Sequence, residues 1–595
     1  MKWVFTSLAA VALLMACHAA EAADCVLQFD ALETADGLTA SVIGRGVVVL
    51  RLRGTPDEKL LQRARIIAQR LNGVATAGAR PADVSVKSSR DTAQIIVAGH
   101  NVFTVNAELA KKCENSPAGL AEAWAENLKR VTAQPYLTIS PCRELVVPAG
   151  EARVVKWGGS IEKPDKAGIT DATVATMQVQ ADDRTIAVWG LQPGTTKLVI
   201  SVGDCQHIIR LICKKWAAVI PTRSQLQVSG AALRRDALLR AVENLVHSVA
   251  RTEPNAELNI GELVSVKGGY EVRIAAWGDG YLPTTVMHRV EVQKVAPADR
   301  PADAVLVSNL PEKVTGPGTM LRESMVGGRA VRLLWHHINL AERPLRMSVV
   351  LYNLTEEPAA LHFTGAAAGP SRDEIFAGHS AAARFLLDLF SGTGFMLYVP
   401  AKASVEVAAA RLRPGELASG LVQLTPYGKP NIFIEVVFEE SRSRSGFFAP
   451  VPDRLYDCQI TSGFEFAAER EVQLQHVVGG SWGFYTLGKT PEVNSIGRHL
   501  AGSYGVLHRI NAAVENVTER PAIVELAMRP RGGVARGTFW VDGKLVETPM
   551  LDNASEQVIY KSVVDAKSTQ KVVVTTVPQS GSHYPVLLTL RSWQR

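Results

Sequence analysis

Short apolar runs that alternate with polar or small residues recur along the chain, and they predict a structure built mainly from β-strands. Leu198, Ile200 and Val202 stand at every second position, which is the period of a strand with one buried face. Further apolar runs of strand length occupy residues 330–335, 432–438 and 586–590. The overall pattern predicts a multidomain β-rich chain in which α+β N-terminal modules are followed by tandem β-sandwiches.

Three stretches carry apolar residues at helical spacing instead. The first follows Thr55 as N-cap and is expected to end at Asn72, the second begins at Ser116, and the third uses Ser229 as N-cap and ends before Pro254. The inward positions would be Leu60, Ala64, Ile67 and Leu71, then Leu120, Trp124 and Leu128, then Leu238, Val242, Leu245 and Val249.

At 595 residues the chain is too long for one hydrophobic core, so it should divide into several domains. Segments rich in proline, alanine and aspartate (296–304) and in serine and arginine (439–452) are predicted linkers. The expected organisation is a small α+β module at 24–134, a β-domain at 136–216, an α+β module at 217–300, an all-β sandwich at 305–440 and a related sandwich at 453–595.

An internal repeat supports the relation between the last two domains. The segment NLTEEPA beginning at Asn353 returns as NVTERPA at Asn516, 163 residues later. Asparagine bonds its own backbone in turns, and proline begins a strand where no ladder N–H is needed. Each copy is predicted to be the connection of a β-hairpin.

The N-terminus has the features of an export signal. Lys2 precedes an apolar run at residues 4–15, and Ala20-Glu21-Ala22 is an A-x-A cleavage site, so residues 1–22 are a predicted signal peptide. The alternative is a lipobox that ends at Cys17, which would anchor the protein through a lipid, although Met15 departs from that pattern. No later run is long enough for a transmembrane helix. We therefore expect a protein of the periplasm or cell surface.

Export implies an oxidising compartment, where cysteines form disulfides. The cysteine pattern predicts a bridge between Cys25 and Cys113 and a second bridge among Cys142, Cys205 and Cys213. Cys458 stands apart in the sequence, and it is either free or joined to the leftover thiol. No CxxC pair is present, so neither a zinc nor a thioredoxin-like site is predicted.

Residues 136–216 carry the clearest family pattern. Their strands LVVPAGEARVV and TIAVWGLQPGTTKLVISV are joined by glycine turns, and Gly194 after Pro193 predicts a positive φ. The segment resembles the N-terminal domain of pilus-assembly and secretin proteins, although a generic immunoglobulin-like sandwich would use similar turns. The matching positions are Val147, Gly150, Val154, Gly190, Gly194, Thr196, Leu198 and Ile200. The resemblance implies secretin or pilus components as partners. A long barrel-forming C-terminal region, as in a secretin, is missing.

Motifs with catalytic or cofactor chemistry lack their context. Residues 483–490 fit GxxxxGK[ST], yet Pro491 follows where a P-loop needs a helix, so a glycine-rich β-loop is predicted. Ser380 lies in a GHSAA segment without the last glycine of a nucleophile elbow and is predicted in a loop or as an N-cap. His336 and His337 are neighbours on a strand, so they point to opposite faces. No metal, cofactor or catalytic site is predicted.

The densest aromatic stretch contains Trp482, Phe484 and Tyr485, with Phe447 and Phe448 earlier in the chain. Core packing explains such residues, but exposed rings would contact a glycan or a protein partner. The net charge of +6 is scattered and does not predict nucleic-acid binding. We therefore expect a non-enzymatic envelope protein that acts in pilus or secretion-system assembly or as a surface scaffold. The alternatives are a glycan-binding protein and a hydrolase with dispersed site residues.

Overall fold

The computed structural model describes residues 26–55, 59–296, 300–440, 448–451 and 463–594. The chain forms two compact units, one running to Trp216 and including Gly280–Leu282, and one comprising Ala217–Asp279 and the chain from Pro283 onward. The predicted signal peptide, Cys17, Cys25, Cys458 and Phe447 lie outside the described residues. Within the described ranges, none of the helices combines the length and apolar character needed to cross a membrane.

The first unit begins with two three-stranded antiparallel sheets, β1-β2-β3 and β4-β5-β6, that pack with helices on a shared core. The strands are β1 (Phe29–Glu33), β2 (Thr39–Gly44), β3 (Val47–Arg53), β4 (Val84–Ser88), β5 (Thr92–Val97) and β6 (His100–Asn106), and the helices are α1 (Leu60–Thr76), α2 (Ala107–Lys112) and α3 (Pro117–Thr132). The Ser116 side chain caps α3 by accepting a hydrogen bond from the backbone N–H of Gly119, 3.1 Å away.

Helix α1 differs from the prediction at both ends. It begins at Leu60, not directly after Thr55, and it continues through Asn72 to Thr76. The side chain of Asn72 accepts a hydrogen bond from the backbone N–H of Phe29 (2.8 Å) and donates one to its carbonyl oxygen (2.9 Å). Asn72 therefore ties the helix to β1 and does not terminate it.

The second part of this unit is a sandwich of two four-stranded sheets, β10-β13-β14-β8 and β11-β12-β9-β7. The strands are β7 (Leu137–Ser140), β8 (Glu144–Pro148), β9 (Ala152–Gly159), β10 (Lys166–Ile169), β11 (Ala175–Gln180), β12 (Thr185–Gly190), β13 (Gly194–Val202) and β14 (Cys205–Lys214). Gly150 has a φ of 83°. Gly194 lacks the predicted positive φ and begins β13. Its need for glycine is steric instead, because a Cβ at this position would lie only 2.9 Å from the side chain of Val174.

The second unit continues through strands of one large sheet, of a five-stranded sheet and of a two-stranded pair, together with two helices. They are β15 (Ala218–Val219), β16 (Arg223–Ser229), α4 (Arg235–Val249), β17 (Arg251–Thr252), β18 (Glu257–Val266), β19 (Gly269–Trp277), β20 (Thr284–Lys294), β21 (Ala304–Ser308), β22 (Lys313–Val314), β23 (Gly318–Ser324), β24 (Val331–Asn339), β25 (Leu345–Asn353), β26 (Ala359–Ser371), α5 (Glu374–Phe390), β27 (Gly394–Val399), β28 (Ala403–Leu412), β29 (Leu417–Pro426), β30 (Ile432–Glu440) and β31 (Phe448–Pro450). Ser229 does not cap α4. It is buried, and its hydroxyl contacts His362 Nε2 at 2.7 Å.

The large sheet has eleven strands. Nine of them follow the order β18-β19-β20-β16-β27-β26-β29-β24-β21. The other two are β22, which pairs with β24, and a short strand from the last domain, which pairs with β21. Strand β16 pairs with β27, so strands from the predicted segments 217–300 and 305–440 belong to one sheet. A five-stranded sheet, β23-β30-β25-β28-β31, accompanies it.

The C-terminal domain is a two-sheet sandwich, β33-β37-β42-β39-β40 with β34-β43-β38-β41. Its strands, with β32 that pairs to β21, are β32 (Glu465–Phe466), β33 (Glu469–Val477), β34 (Gly483–Leu487), β35 (Glu492–Val493), β36 (His499–Leu500), β37 (Leu507–Asn516), β38 (Ala522–Pro530), β39 (Thr538–Val541), β40 (Lys544–Glu547), β41 (Gln557–Val564), β42 (Ser568–Thr576) and β43 (Val586–Gln594). The β-rich tandem architecture agrees with the prediction from alternating apolar residues.

Helix α5 lies in the region predicted to be all-β, so that prediction was wrong for residues 374–390. Asp373 caps the helix by accepting a hydrogen bond from the backbone N–H of Phe376 at 2.8 Å. The helix packs on β26 and β29 and also on β39 of the C-terminal sandwich. Phe390 stacks on Trp540 with a centroid distance of 5.0 Å, and His379 Nε2 lies 2.6 Å from Glu547 Oε2. The helix therefore joins the two sandwiches through a common core.

The repeated NxTxxP segments have the same hydrogen-bond pattern. Asn353 Nδ2 donates to the carbonyls of Glu357, Val399 and Pro400 at 2.8, 3.1 and 3.2 Å. Asn516 Nδ2 donates to those of Arg520, Val564 and Asp565 at 2.8, 3.1 and 2.9 Å. In each copy the threonine two residues on donates its backbone N–H and its hydroxyl to the asparagine Oδ1.

These segments are not hairpin connections. The Asn353 segment carries the chain from β25 in the five-stranded sheet to β26 in the large sheet, and the Asn516 segment carries it from β37 to β38 in the other sheet of the C-terminal sandwich. A related segment, NLAERPL, in which Ala341 stands in place of the threonine, begins at Asn339 and joins β24 to β25. Asn339 Nδ2 donates to the carbonyls of Arg343 and Leu412 at 3.0 and 2.9 Å. The motif thus marks crossings between sheets.

Candidate functional site

Alternation along β34 and β43 decides which aromatic residues of the C-terminal sandwich face outward. Phe484 stands opposite Thr589, and Tyr485 stands opposite Leu588. Leu588 is fully buried, so its neighbour Tyr485 also faces the core. Phe484 and Thr589 lie on the opposite, outer face of the sheet. Because side chains alternate along a strand, Arg591 and Trp593 share that outer face.

Trp482, Phe484, Arg591 and Trp593 form a contiguous patch, here called the aromatic surface. The ring centroids of Trp482 and Phe484 lie 6.5 Å apart. The guanidinium carbon of Arg591 lies 5.6 Å from the centroid of Trp482 and 4.9 Å from that of Trp593. These distances place the arginine over both indole rings in cation–π contact.

The three rings of the aromatic surface remain open to solvent. Trp482 is 44% exposed, Phe484 58% and Trp593 41%. Carboxylates hold the arginine between them: a guanidinium nitrogen of Arg591 lies 2.6 Å from Glu556 Oε1 and 3.4 Å from Glu525 Oε2. Because the arginine is fixed, the indoles are positioned before any partner binds.

Tyr485 is half-buried and does not belong to this surface. Its hydroxyl contacts His508 Nδ1 at 2.9 Å, and its ring packs on the sandwich core. Burial raises the pKa of the Tyr485 phenol and lowers the pKa of His508 to about 3, so both groups are neutral at pH 7. Trp593 was not predicted, although Thr589, Arg591 and Trp593 alternate in the last strand and could have indicated it.

The two motif-like stretches lie in a strand followed by a turn and in a helix. Residues 483–487 of the GxxxxGK[ST] match form strand β34, and Gly488 with a φ of 78° begins a turn without a following helix. Ser380 lies inside α5, not in a loop or at an N-cap as predicted. Phe448 lies on β31.

The described cysteines are free thiols, in contrast to the predicted bridge among Cys142, Cys205 and Cys213. In the strand register, Val202 stands opposite Cys205, and Gly194 and Val147 flank Cys213. The thiol of Cys142 donates to the side-chain carbonyl of Gln28. Cys113 is also a free thiol, and its predicted partner Cys25 lies outside the described residues.

The rings of His336 and His337 have different surroundings. His337 donates from Nδ1 to the carbonyl of Pro311 at 2.9 Å, and its Nε2 lies 2.9 Å from the hydroxyl of Ser308. His336 lies instead near Glu312, with 3.8 Å between His336 Nε2 and Glu312 Oε1. Burial lowers the pKa of both histidines to about 4, so both rings are neutral at pH 7.

Comparison with known proteins gives one partial family match. A family described as a domain of unknown function (DUF8459) matches residues 41–135, which is β2 through α3 and well under half of the chain. No curated protein sequence matches.

Some solved structures overlap parts of the chain at very low similarity. Domains 5–6 of the S-layer protein SbsC are 10% identical over 27% of this chain and 100% of that chain, with a TM-score of 0.13. The insect immune protein hemolin is 10% identical over 33% and 63%, with a TM-score of 0.15. The human desmocollin-1 ectodomain is 7% identical over 32% and 48%, with a TM-score of 0.12. Scores this low establish neither a shared fold nor a shared function.

Proposed function

We propose that this protein is an exported, non-catalytic component of the bacterial envelope that binds another envelope protein through its β-domains. The observation that carries the proposal is the aromatic surface, with three exposed rings arranged around an arginine that is fixed by carboxylates. Secretin or pilus components are the proposed partners, on the resemblance of residues 136–216 to pilus-assembly and secretin domains.

The composition of the surface favours a protein partner. Tryptophan, phenylalanine and arginine are enriched where proteins bind each other, and they contribute most where they are held rigid before binding. Arg591 is held by Glu525 and Glu556, and it stacks on both indoles. A partner would therefore immobilise few additional rotamers when it covers these rings.

Glycan binding is the second candidate, because exposed indole rings also stack on sugars. Trp482 and Trp593 supply such rings. However, Arg591 covers one face of each indole and removes that face from stacking. This arrangement favours the protein partner over a flat sugar platform.

The test is affinity capture of the mature protein from its native envelope, followed by mass spectrometry. The double variant Trp482→Ala/Phe484→Ala removes the centre of the aromatic surface. Trp277→Ala is the matched control, because Trp277 is 41% exposed and lies on β19, outside the C-terminal sandwich.

The proposal predicts that secretin or pilin components are enriched with the wild type and with Trp277→Ala, and are lost with the double variant. Equal enrichment with all three proteins would contradict a role for the aromatic surface. Retention of peptidoglycan or other glycan fragments, lost in the double variant, would support glycan binding instead.

A further inference from the structure

A small polar pocket of about 140 Å³ lies where the start of α5 approaches strand β24 and the loop after β42. Glu312, His336, Glu374, Tyr504 and His583 are among the residues that line it. The packing around it is tight: a side chain at Gly581, in the loop, would overlap the backbone of Glu374. The pocket is separate from the aromatic surface and has no part in the proposed function.

His336 is the unusual member of this pocket. Its side chain is 2% exposed, and neither ring nitrogen has a hydrogen-bond partner among the described residues. The 3.8 Å between His336 Nε2 and Glu312 Oε1 is too long for a hydrogen bond. Buried polar atoms are nearly always satisfied, because an unmet donor or acceptor costs free energy. The imidazole therefore points to a group that binds in the pocket.

Two carboxylates approach the same point from different elements. Glu312 lies in the loop before β22, and Glu374 is the first residue of α5. A ligand atom from each of Glu312, His336 and Glu374 lies within 4.8 Å of the other two. Both glutamates are exposed, so small rotations of flexible side chains would close the remaining distance to a common ion.

We propose that Glu312, His336 and Glu374 bind one divalent transition-metal ion, with Zn²⁺ as the best match. One imidazole nitrogen and two carboxylate oxygens are ligands that suit Zn²⁺ or Mn²⁺, whereas Ca²⁺ and Mg²⁺ select oxygen ligands alone. Water in the pocket would complete the coordination. The ion would tie the first turn of α5 to the loop before β22 and to β24.

The test uses the full mature chain without a polyhistidine tag and measures Zn²⁺ affinity by competition with a chromophoric chelator. Glu312→Gln and Glu374→Gln each remove one charged ligand at an exposed position, where folding should tolerate the change. Glu342→Gln is the matched control, since Glu342 is an exposed glutamate in the turn after β24.

We expect the wild type to bind one Zn²⁺ per chain. Glu312→Gln and Glu374→Gln should each lower the Zn²⁺ affinity at least about tenfold, since loss of a supporting group alone weakens metal sites by about 10–100-fold. The Zn²⁺ affinity of Glu342→Gln should equal that of the wild type. X-ray absorption of the zinc-loaded wild type should show one imidazole and oxygen ligands. Equal affinity in all four proteins, absence of zinc binding, or a sulfur shell from the cysteines would overturn the proposal.

Discussion

Replacing Asn516 by alanine tests whether the NxTxxP segment holds the two sheets of the C-terminal sandwich together. The Asn516 side chain is 1% exposed and donates to three carbonyl oxygens, of Arg520, Val564 and Asp565. Its Oδ1 accepts from the backbone N–H and the hydroxyl of Thr518 at 3.1 and 2.7 Å. Alanine removes all five hydrogen bonds.

The loss of stability in Asn516→Ala can be estimated from the polar groups that are left without a hydrogen-bond partner. The hydroxyl of Thr518 keeps its bond to the carbonyl of Arg520 at 2.9 Å, so that carbonyl retains one donor. The carbonyl of Asp565 likewise keeps the hydroxyl of Ser568 as a donor at 2.8 Å. The carbonyl of Val564 and the N–H of Thr518 are then the groups that lose this partner. An unsatisfied buried group costs about 1–3 kcal/mol, and partial hydration at the sandwich end brings the expected total to about 2–4 kcal/mol.

Hydrogen-exchange mass spectrometry is the appropriate assay, because a chain with several domains does not unfold in one two-state transition. Protected amides of β37 and β38 report the free energy of local opening. Since about 1.4 kcal/mol corresponds to a factor of ten, their exchange should accelerate by roughly 30- to 700-fold in Asn516→Ala.

Asn353→Ala is the matched variant, because its side chain makes the equivalent bonds between β25 and β26. It should destabilise those two strands by a similar amount and leave β37 and β38 unchanged. Less than threefold acceleration in either variant would refute the view that the asparagine bonds stabilise the crossing between sheets.

Three further predictions concern other parts of the chain. Burial lowers the pKa of His362 to about 4 and the pKa of His508 to about 3. The contribution of these neutral histidines to stability is therefore complete above the ordinary pKa of about 6.5 and is lost as the pH falls towards 4. Thermal midpoints should drop over that pH window, and they should drop less steeply in His508→Gln. Gly378→Ala should lower the free energy of local opening of α5 by about 1–3 kcal/mol, measured by amide exchange, because its Cβ would overlap the backbone carbonyl of Ser580 and push α5 away from the loop after β42. Alkylation of unreduced protein should modify Cys142 and Cys205, since both are thiols in the structure; protection of both until a reductant is added would contradict that state.

Alternation of apolar residues indicates strands with one buried face, such as β13, whereas β24 and β29 are buried along their whole length and are indicated only by continuous apolar runs. The repeated NxTxxP segment is also visible in the sequence, since Asn353 and Asn516 need the same neighbours to complete the same hydrogen bonds. Local sequence does not show which sheet the next strand joins. For that reason the local pattern predicts a hairpin where the chain in fact crosses between sheets.

Helix α5 and the sites depend on long-range packing. The segment 374–390 is rich in alanine and apolar residues, and its buried face packs against both sandwiches. The apolar pattern of either sandwich alone therefore does not indicate this helix. Phe484 and Arg591 are neighbours only because β34 pairs with β43. Glu312, His336 and Glu374 come together from a loop, a strand and a helix. Spacing along one sequence cannot predict such groupings.

The most direct test of the account is photo-crosslinking in intact cells with p-benzoylphenylalanine in place of Phe484, whose ring is the most exposed of the aromatic surface. Trp277 carries the same probe in the control. We expect a cross-linked adduct with another envelope protein from position 484 and none from position 277. Equal adducts from both positions, or no protein adduct from position 484, would contradict the aromatic surface as the site of partner binding.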